Sequence, residues 1–407
     1  MNILILCSTF PYPVTRGRKQ LRTFHLLQYL ALRHQVTLVT RRNVETREEE
    51  IQKLQTHIAQ LVIFEPSQNP QDFGLIDKAK QFGKLIQQRI PSNVLNIYCE
   101  SMADWINQAI SSDKFDAISC EDSADEIYID SQWHKKLGLV LNLHYSEYGK
   151  YKQQLANGNS SNELKDQINL RLRKRYEQKY LEKFCTIVTV SNKDKKIIRK
   201  LEPDSSVLTI PNGVDLNKFP YRITNQGGQN IVFVGNMDNP VNIDAAKFLA
   251  LEMFPAIRQR YPEALLELVG ANPTAEILAL NDLSGIVVTG KVSCVVEYLH
   301  WATVCVIPIR QGYGLRNRTL ESMAAGVPIV ASDLALAEFN VDGAGVPLRA
   351  MRANTLEEYI YAIGRLFSEP KLRAKISENG LSLVQNEYTW DQIGQKYEQV
   401  LIDASDK

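Results

Sequence analysis

Residues Val304–Ser332, VCVIPIRQGYGLRNRTLESMAAGVPIVAS, constrain the fold of this chain more than any other stretch. The segment opens on the apolar, largely β-branched run Val304-Cys305-Val306-Ile307, which reads as a buried parallel strand closed by Pro308. Gly312 and Gly314 follow, where the backbone can turn tightly or come close to a ligand. Asn317 suits the cap of a short helix, Arg318 to Ala325, and Gly326 suits its end. Val327 to Ala331 reads as a second buried strand. The expected result is a strand–loop–helix–strand unit.

Three guanidiniums, those of Arg310, Arg316 and Arg318, fall in the loop and at the helix start. The first amides and the positive dipole end of a helix already favour a phosphate, and arginines add bidentate contacts. Glu321 lies about one turn into the helix and, when ionised, only accepts hydrogen bonds, as the two hydroxyls of a ribose require. The pattern points to a nucleoside-diphosphate site. Taken singly, each feature has a plainer reading: a solvated arginine face, or a glutamate that favours the helix dipole. Cations, glycines and a carboxylate gathered between two buried strands favour the site.

With 407 residues the chain exceeds one ordinary core, so two domains are expected. Its 44% hydrophobic and 23% charged residues are those of a globular protein, and a net charge of +1 argues against a nucleic-acid partner. The charge is unevenly spread. Residues 1–205 carry 30 Lys and Arg against 24 Asp and Glu, and the remainder 17 against 22. The basic first half includes Arg171-Leu172-Arg173-Lys174-Arg175, which suits peripheral contact with an anionic membrane surface or, the plainer reading, a solvated helix face.

Cys7, Cys99, Cys120, Cys185, Cys294 and Cys305 are scattered without a C-x-x-C pair, and Cys7, Cys185 and Cys305 lie in apolar, strand-like runs. Buried free thiols in a reducing compartment fit this pattern. The histidines show no metal-ligand spacing. No apolar run reaches membrane-spanning length, and Met1 to Leu6 reads as a strand without a charged leader. The expected location is the cytoplasm or the inner face of a membrane.

In chain order, Asn2 to Leu6 reads as a buried strand, Pro11 to Gly17 as a loop, and Arg18 to Ala31 as an amphipathic helix with Leu21, Phe24, Leu27 and Leu30 on one face. Further strands are expected at Gln35–Thr40, Leu61–Phe64, Phe115–Cys120, Leu139–Leu143, Thr186–Val190 and Val207–Ile210. Helical periodicity marks Lys78–Ile90, Met102–Ile110 and Asn169–Lys183, Ala156–Asn162 reads as a loop, and Ser191 and Asp194 have capping-box spacing. Strands alternating with helices predict a parallel, doubly wound sheet whose ligand edge is the carboxyl end of its strands. Gly17 with Arg16, Arg18 and Lys19 falls at that edge, and so does His144, directly after Leu143. His144 has two readings there, a residue of the cleft or a structural one bonded to a neighbouring carbonyl.

After the turn Pro211-Asn212-Gly213-Val214-Asp215 and the linker signal Gly227-Gly228, the pattern restarts. Strands are expected at Ile231–Gly235, Leu265–Val269 and Ile286–Thr289, with helices from about Asp244 and around Val296–Trp301. Tyr388 to Leu401 reads as an amphipathic helix with Trp390, Ile393, Tyr397 and Leu401 on its apolar side. The expected division is a first domain over 1–205, a linker over 206–229, a second domain over 230–387 and a helix over 388–407 that crosses back to the first domain.

The motifs together resemble the GT-B glycosyltransferases, specifically glycosyltransferase family 4, over nearly the whole chain. They are the opening strand with its Gly17 loop, V-S-x-x-D at Val190–Asp194, P-N-G-V-D at Pro211–Asp215, F-V-G at Phe233–Gly235, T-G-K-V at Thr289–Val292, and L-E-S-M-A-A-G-V-P-I-V-A-S at Leu320–Ser332. F-P-Y-P at Phe10–Pro13, G-N-M-D at Gly235–Asp238 and the arginine-rich run from Arg310 to Glu321 look like the exopolysaccharide-associated branch.

The resemblance implies an α/β fold of two Rossmann-like domains facing a cleft, and a retaining, metal-independent transfer from a nucleotide-sugar donor to a glycan, lipid-linked sugar or small-molecule acceptor. No cofactor is implied. The implied donor site comprises Gly17, Asn236, Lys291, Val292, Arg310, Gly312, Tyr313, Gly314, Leu315, Thr319, Leu320 and Glu321, with His144, Arg316 and Arg318 at the chemistry. Two departures stand out. The family's other glutamate, eight residues before Glu321, is replaced by Tyr313, and the Arg and Lys usual after the first strand of the second domain are missing from Gly235 to Asn242. Arg310, Arg316 and Arg318 are expected to replace those cations. The competing readings are a nucleotide-sugar epimerase on the same fold, a sugar-binding protein without chemistry, and an inactive regulatory relative.

Overall fold

The β-branched, apolar runs become strands, and the amphipathic stretches between them become helices. The computed structural model describes residues 1–65, 98–156, 162–313 and 317–406. They form two units, Met1–Pro211 with Ile393–Lys407, and Asn212–Gln392. The expected helix at Lys78–Ile90 and residues 157–161 of the expected Ala156–Asn162 loop lie outside the described residues.

In the first unit, the described strands are β1 (Asn2–Cys7), β2 (Gln35–Arg41), β3 (Gln60–Phe64), β4 (Ala117–Cys120), β5 (Gly138–Leu143), β6 (Thr186–Thr189) and β7 (Ser206–Thr209). They pair in parallel in the order β3-β2-β1-β4-β5-β6-β7. Every residue of β4, β5 and β6 is buried, as a sheet covered by helices on both faces demands. The helices are α1 (Arg18–Ala31), α2 (Glu48–Gln55), α3 (Glu100–Ser111), α4 (Glu147–Ala156), α5 (Glu163–Leu181) and α6 (Asn192–Leu201). Ser191 caps α6, its Oγ accepting the Asp194 N–H at 3.1 Å.

One correction concerns the linker. Ser206–Thr209 is an edge strand of the first sheet, with Val207 beside Ile187 in the same apolar core, so these residues are not linker.

The second unit repeats the plan with β8 (Asn230–Val234), β9 (Leu265–Val269), β10 (Ile286–Gly290), β11 (Val304–Ile307), β12 (Ile329–Ala331) and β13 (Met351–Arg352), parallel in the order β10-β9-β8-β11-β12-β13. Its helices are α7 (Pro240–Lys247), α8 (Phe254–Arg260), α9 (Ala275–Leu278), α10 (Val295–Trp301), α11 (Asn317–Ala324), α12 (Asp333–Leu336), α13 (Leu356–Ser368) and α14 (Pro370–Glu387). Helix α7 starts at Pro240 rather than near Asp244, because Asn239 caps it through Val241 N (3.0 Å) and Pro240 suits a first helical position. It runs through a π-helical stretch, Phe248–Met253, into α8. Gly326 ends α11 at φ 78°, a left-handed conformation that favours glycine.

The last helix, α15 (Trp390–Ser405), buries Ile393, Tyr397 and Leu401 and leaves Trp390 half-buried. All six cysteines are free. Cys7, Cys120 and Cys305 are buried, whereas Cys185, expected inside a strand, precedes β6 and is half-buried. Among the described residues, no helix is long and apolar enough to cross a membrane.

Candidate active site

Each sheet reverses its strand order once, and open α/β sheets take ligands at the carboxyl ends of the strands beside such a reversal. In the second unit the reversal lies between β8 and β11. Arg318, the second residue of α11, reaches the mouth of β8. Its Nη1 donates to Asn242 Oδ1 at 3.0 Å, and the buried Asn242 donates its Nδ2 to the Asn236 carbonyl at 2.8 Å. A Cβ on Gly235 would stand 3.0 Å from that Nη1, so the glycine leaves the room the guanidinium fills. A cation from a distant helix thus stands where the sequence shows none after β8.

The neighbouring groups are arranged less simply. Arg310 is held by Asp244 through two bonds, Nε to Oδ2 at 3.1 Å and Nη2 to Oδ1 at 2.6 Å, with its guanidinium 4.3 Å from the Phe248 ring centroid. Its charge is therefore already matched by a carboxylate. Asn317 is not the cap but the first residue of α11, buried, and its Oδ1 accepts from Asn212 Nδ2 at 3.2 Å. This bond ties the helix start to the Asn212–Asp215 turn.

The Thr319 hydroxyl is spent on the Ala335 carbonyl (3.1 Å), and Leu320 is fully buried in the core. Only the main chain of these two residues is left for a donor, in the first turn, where amides lack helical acceptors. Glu321 is half-buried one turn further on, and Tyr313 is half-buried in the loop beside Gly312, which turns at φ 111°. Asn236 and Lys291 are exposed after β8 and β10, and Val292 packs half-buried against the core. Gly314, Leu315 and Arg316 lie outside the described residues.

In the first unit the reversal lies between β1 and β4, with His144 one strand away, after β5. The His144 ring bonds the Glu121 carbonyl, while its Nε2 is buried without a hydrogen-bond partner. One nitrogen is thus anchored to a neighbouring carbonyl, as the structural reading expects, and the other is buried without a partner. Burial pushes its pKa down to about 4, aided by the Arg22 and Lys19 charges and opposed by the Asp122 carboxylate. At neutral pH the imidazole is uncharged. With its single N–H given to the Glu121 carbonyl, Nε2 is left as an acceptor.

Lys19 forms an ion pair with Asp122. Burial opposes the Lys19 charge, but Asp122 holds the ammonium above its ordinary range. Arg16 is taken by Glu50 at 2.9 Å. Gly17 has an extended backbone (φ 172°), which any residue adopts, so its freedom is not what the loop uses.

Sequence reasoning missed the polar network beneath this edge. Arg22 is fully buried, donating Nε to Asn142 Oδ1 (3.0 Å) and Nη1 to the Pro211 carbonyl (2.9 Å). Asn142 in turn donates to Glu121, which also accepts from Ser119 (2.6 Å) and Thr23 (3.2 Å). Burial drives the Arg22 pKa down to about 10 and the Glu121 pKa up, and each charge opposes the other's shift. The signal was present: Arg22 shares the four-residue row of Leu26 and Leu30, so it had to enter the core. Among the described residues, no three His, Cys, Asp or Glu side chains gather as a metal ion would need.

Comparison with known families decides between the classes. The model described as Glycosyltransferase Family 4 matches residues 21–218, and that described as Glycosyl transferases group 1 matches residues 228–369. The chain belongs to glycosyltransferase family 4. The first match ends at residue 218 and the second begins at residue 228, so each parallel sheet falls largely within one match.

Solved structures agree on the GT-B fold. Sucrose-phosphate synthase of Thermosynechococcus elongatus is 16% identical to the transferase, with a TM-score of 0.65 over 99% of this chain and 98% of that one. HepE of Anabaena, crystallised with UDP and glucose, is 14% identical, with a TM-score of 0.63 over 98% and 99%. A variant of S. aureus TarM, solved with fondaparinux, α-GlcNAc-glycerol and UDP, is 11% identical, with a TM-score of 0.63 over 98% and 99%. No curated protein matches the transferase.

Proposed function

We propose that the transferase takes its sugar from a nucleoside-diphosphate donor, passes it with retention of configuration to a hydroxyl of a glycan, lipid-linked sugar or small molecule, and needs no metal ion. The observation that carries this reading is Arg318, fixed by Asn242 at the mouth of β8 beside the first turn of α11. Negative charge grows on the leaving diphosphate as the sugar departs, and a prepositioned guanidinium with helix-end amides stabilises that charge without reorganising. Arg316 supplies a second cation, and Glu321 accepts the ribose hydroxyls. His144 accepts a hydrogen bond from a hydroxyl of the transferred sugar at Nε2. Lys291 and the main chain of Gly312 to Gly314 complete the phosphate contacts. UDP in the HepE and TarM structures supports UDP-sugars as the first donor class to test.

The test is donor hydrolysis and transfer across UDP-, GDP- and ADP-sugars, with released nucleoside diphosphate as the readout and the product anomer identified by NMR. One donor class should turn over, EDTA should leave the rate unchanged, and the product should keep the donor's configuration. Arg318→Ala should lower kcat by about 10²–10³-fold and change donor affinity much less, because the interaction strengthens in the transition state. An inverted product overturns retention. A rate abolished by EDTA and restored by Mg²⁺ overturns metal independence, and full activity in Arg318→Ala removes that residue from the chemistry.

A further inference from the structure

Helix α5 turns three of its charged side chains, Asp166, Arg173 and Glu177, inward. On its packed side the Asp166 carboxylate accepts from the Tyr151 hydroxyl at 2.7 Å, and Arg173 pairs with Glu147 at 3.4 Å while lying 4.7 Å from the Tyr151 ring centroid. Both partners belong to α4. Glu177, buried on the same side, accepts the Tyr148 N–H at 2.8 Å.

The outer side carries exposed aliphatics as well as cations. Leu164, Ile168 and Leu172 recur every four residues and are 80%, 59% and 42% exposed. Each is followed seven residues later by an exposed cation: Arg171, Arg175 and Lys179. Seven residues are about two helical turns, so each aliphatic and its cation fall on one line along the helix. The outward face is aliphatic over its first half and cationic towards its end. The helix start is fixed, since Asn162 caps it through Lys165 N at 3.0 Å.

We propose that this face of α5 docks on an anionic lipid bilayer, with the aliphatic half entering the acyl boundary and the cationic half resting among the headgroups. Three exposed aliphatics in register with three cations match a partner that is apolar below and anionic above. The aliphatics are what a nucleic acid would not use, and the cations are what a purely apolar protein surface would not favour. The arginine-rich run from Arg171 to Arg175 is thus divided by the fold. Arg173 is committed to α4, while Leu172 and the flanking arginines face outward.

The test is co-sedimentation of the full chain with vesicles of phosphatidylcholine alone and of phosphatidylcholine with phosphatidylglycerol, at low and high salt. Binding is expected on the anionic vesicles only, weakened by salt. The triple variant Arg171→Glu, Arg175→Glu, Lys179→Glu should lower apparent affinity by about a hundredfold. Leu164→Ser, Ile168→Ser, Leu172→Ser should lower it by about tenfold or more. Donor hydrolysis should be unchanged in both, and Leu164→Ser and Arg175→Glu singly serve if a triple variant fails to fold. Absence of binding to anionic vesicles overturns the proposal, as does binding that the serine variants leave intact. So does an oligonucleotide bound as tightly as the vesicles, or a dimer that the serine triple dissociates while neither form binds vesicles.

Discussion

At the scale of single residues, His144 is anchored at one ring nitrogen and left without a hydrogen-bond partner at the other. Its anchor to the Glu121 carbonyl fixes the tautomer, and the tautomer makes Nε2 an acceptor. A folded pKa of about 4, below the usual 6.5, means the unfolded chain binds the extra proton between those values. Stability from this group is therefore present above that window and lost as pH falls through it. The same value keeps the ring neutral wherever the transferase is assayed near neutrality. His144 should thus contribute no limb to the kcat profile between about pH 5.5 and 8. His144→Ala should lower kcat by on the order of 10²-fold, with nucleoside-diphosphate binding unchanged by calorimetry. A lower melting temperature with normal kcat would leave only the anchoring role.

At the scale of elements, α1 does two jobs. It carries Lys19 to the ligand edge and sends Arg22 into the core, while its outer turns receive α15. Tyr397 of α15 bonds Ser119 at 2.5 Å, and the Tyr29 hydroxyl of α1 donates to Glu398 at 3.3 Å. The two helices close on one another at Gly394, where an added Cβ would stand 2.2 Å from Tyr29 Cγ. Gly394→Ala should gain helix propensity of about 1 kcal/mol but lose more to the displaced ring, since overpacking costs about 1–3 kcal/mol. The net expectation is a melting temperature a few degrees lower. Gly394→Ala combined with Tyr29→Leu should recover part of it, and a stabilised single variant would show that the ring moves aside freely.

At the scale of the whole molecule, ionisable groups buried at the first unit's ligand edge set how stability responds to pH. Asp125 is fully buried, its Oδ1 accepting the Ser8 N–H at 2.8 Å. Burial, reinforced by the neighbouring Asp122, lifts its carboxyl from 3.8 to about 7. The folded state binds the extra proton in that interval, so stability falls as pH rises from about 4 to 7. Asp125→Asn keeps the acceptor and removes the titration. Its melting temperature should decline less over that range, making it the more stable protein above about pH 7. Parallel profiles would mean Asp125 titrates normally.

The two-sheet plan was legible in the amino acids alone, because a parallel strand covered on both faces must be apolar and a helix facing one sheet must be amphipathic. So was the arginine-rich loop after Ile307, since glycines, cations and a carboxylate between two strands are local facts. The rest needed contacts across the chain. Arg318 meets Asn242 across 76 positions and Arg22 meets Asn142 across 120, which no periodicity reports. Arg310 resembles its neighbours in sequence, and only the fold pairs it with Asp244. The outward aliphatic face of α5 is likewise invisible to a local pattern, because which side of a helix faces in is decided by its partners, here Tyr151 and Glu147. The amino acids alone set which positions are apolar and at what period, because burial repeats locally. Only the tertiary structure decided that Asp244 pairs Arg310, because that contact joins residues far apart in the chain.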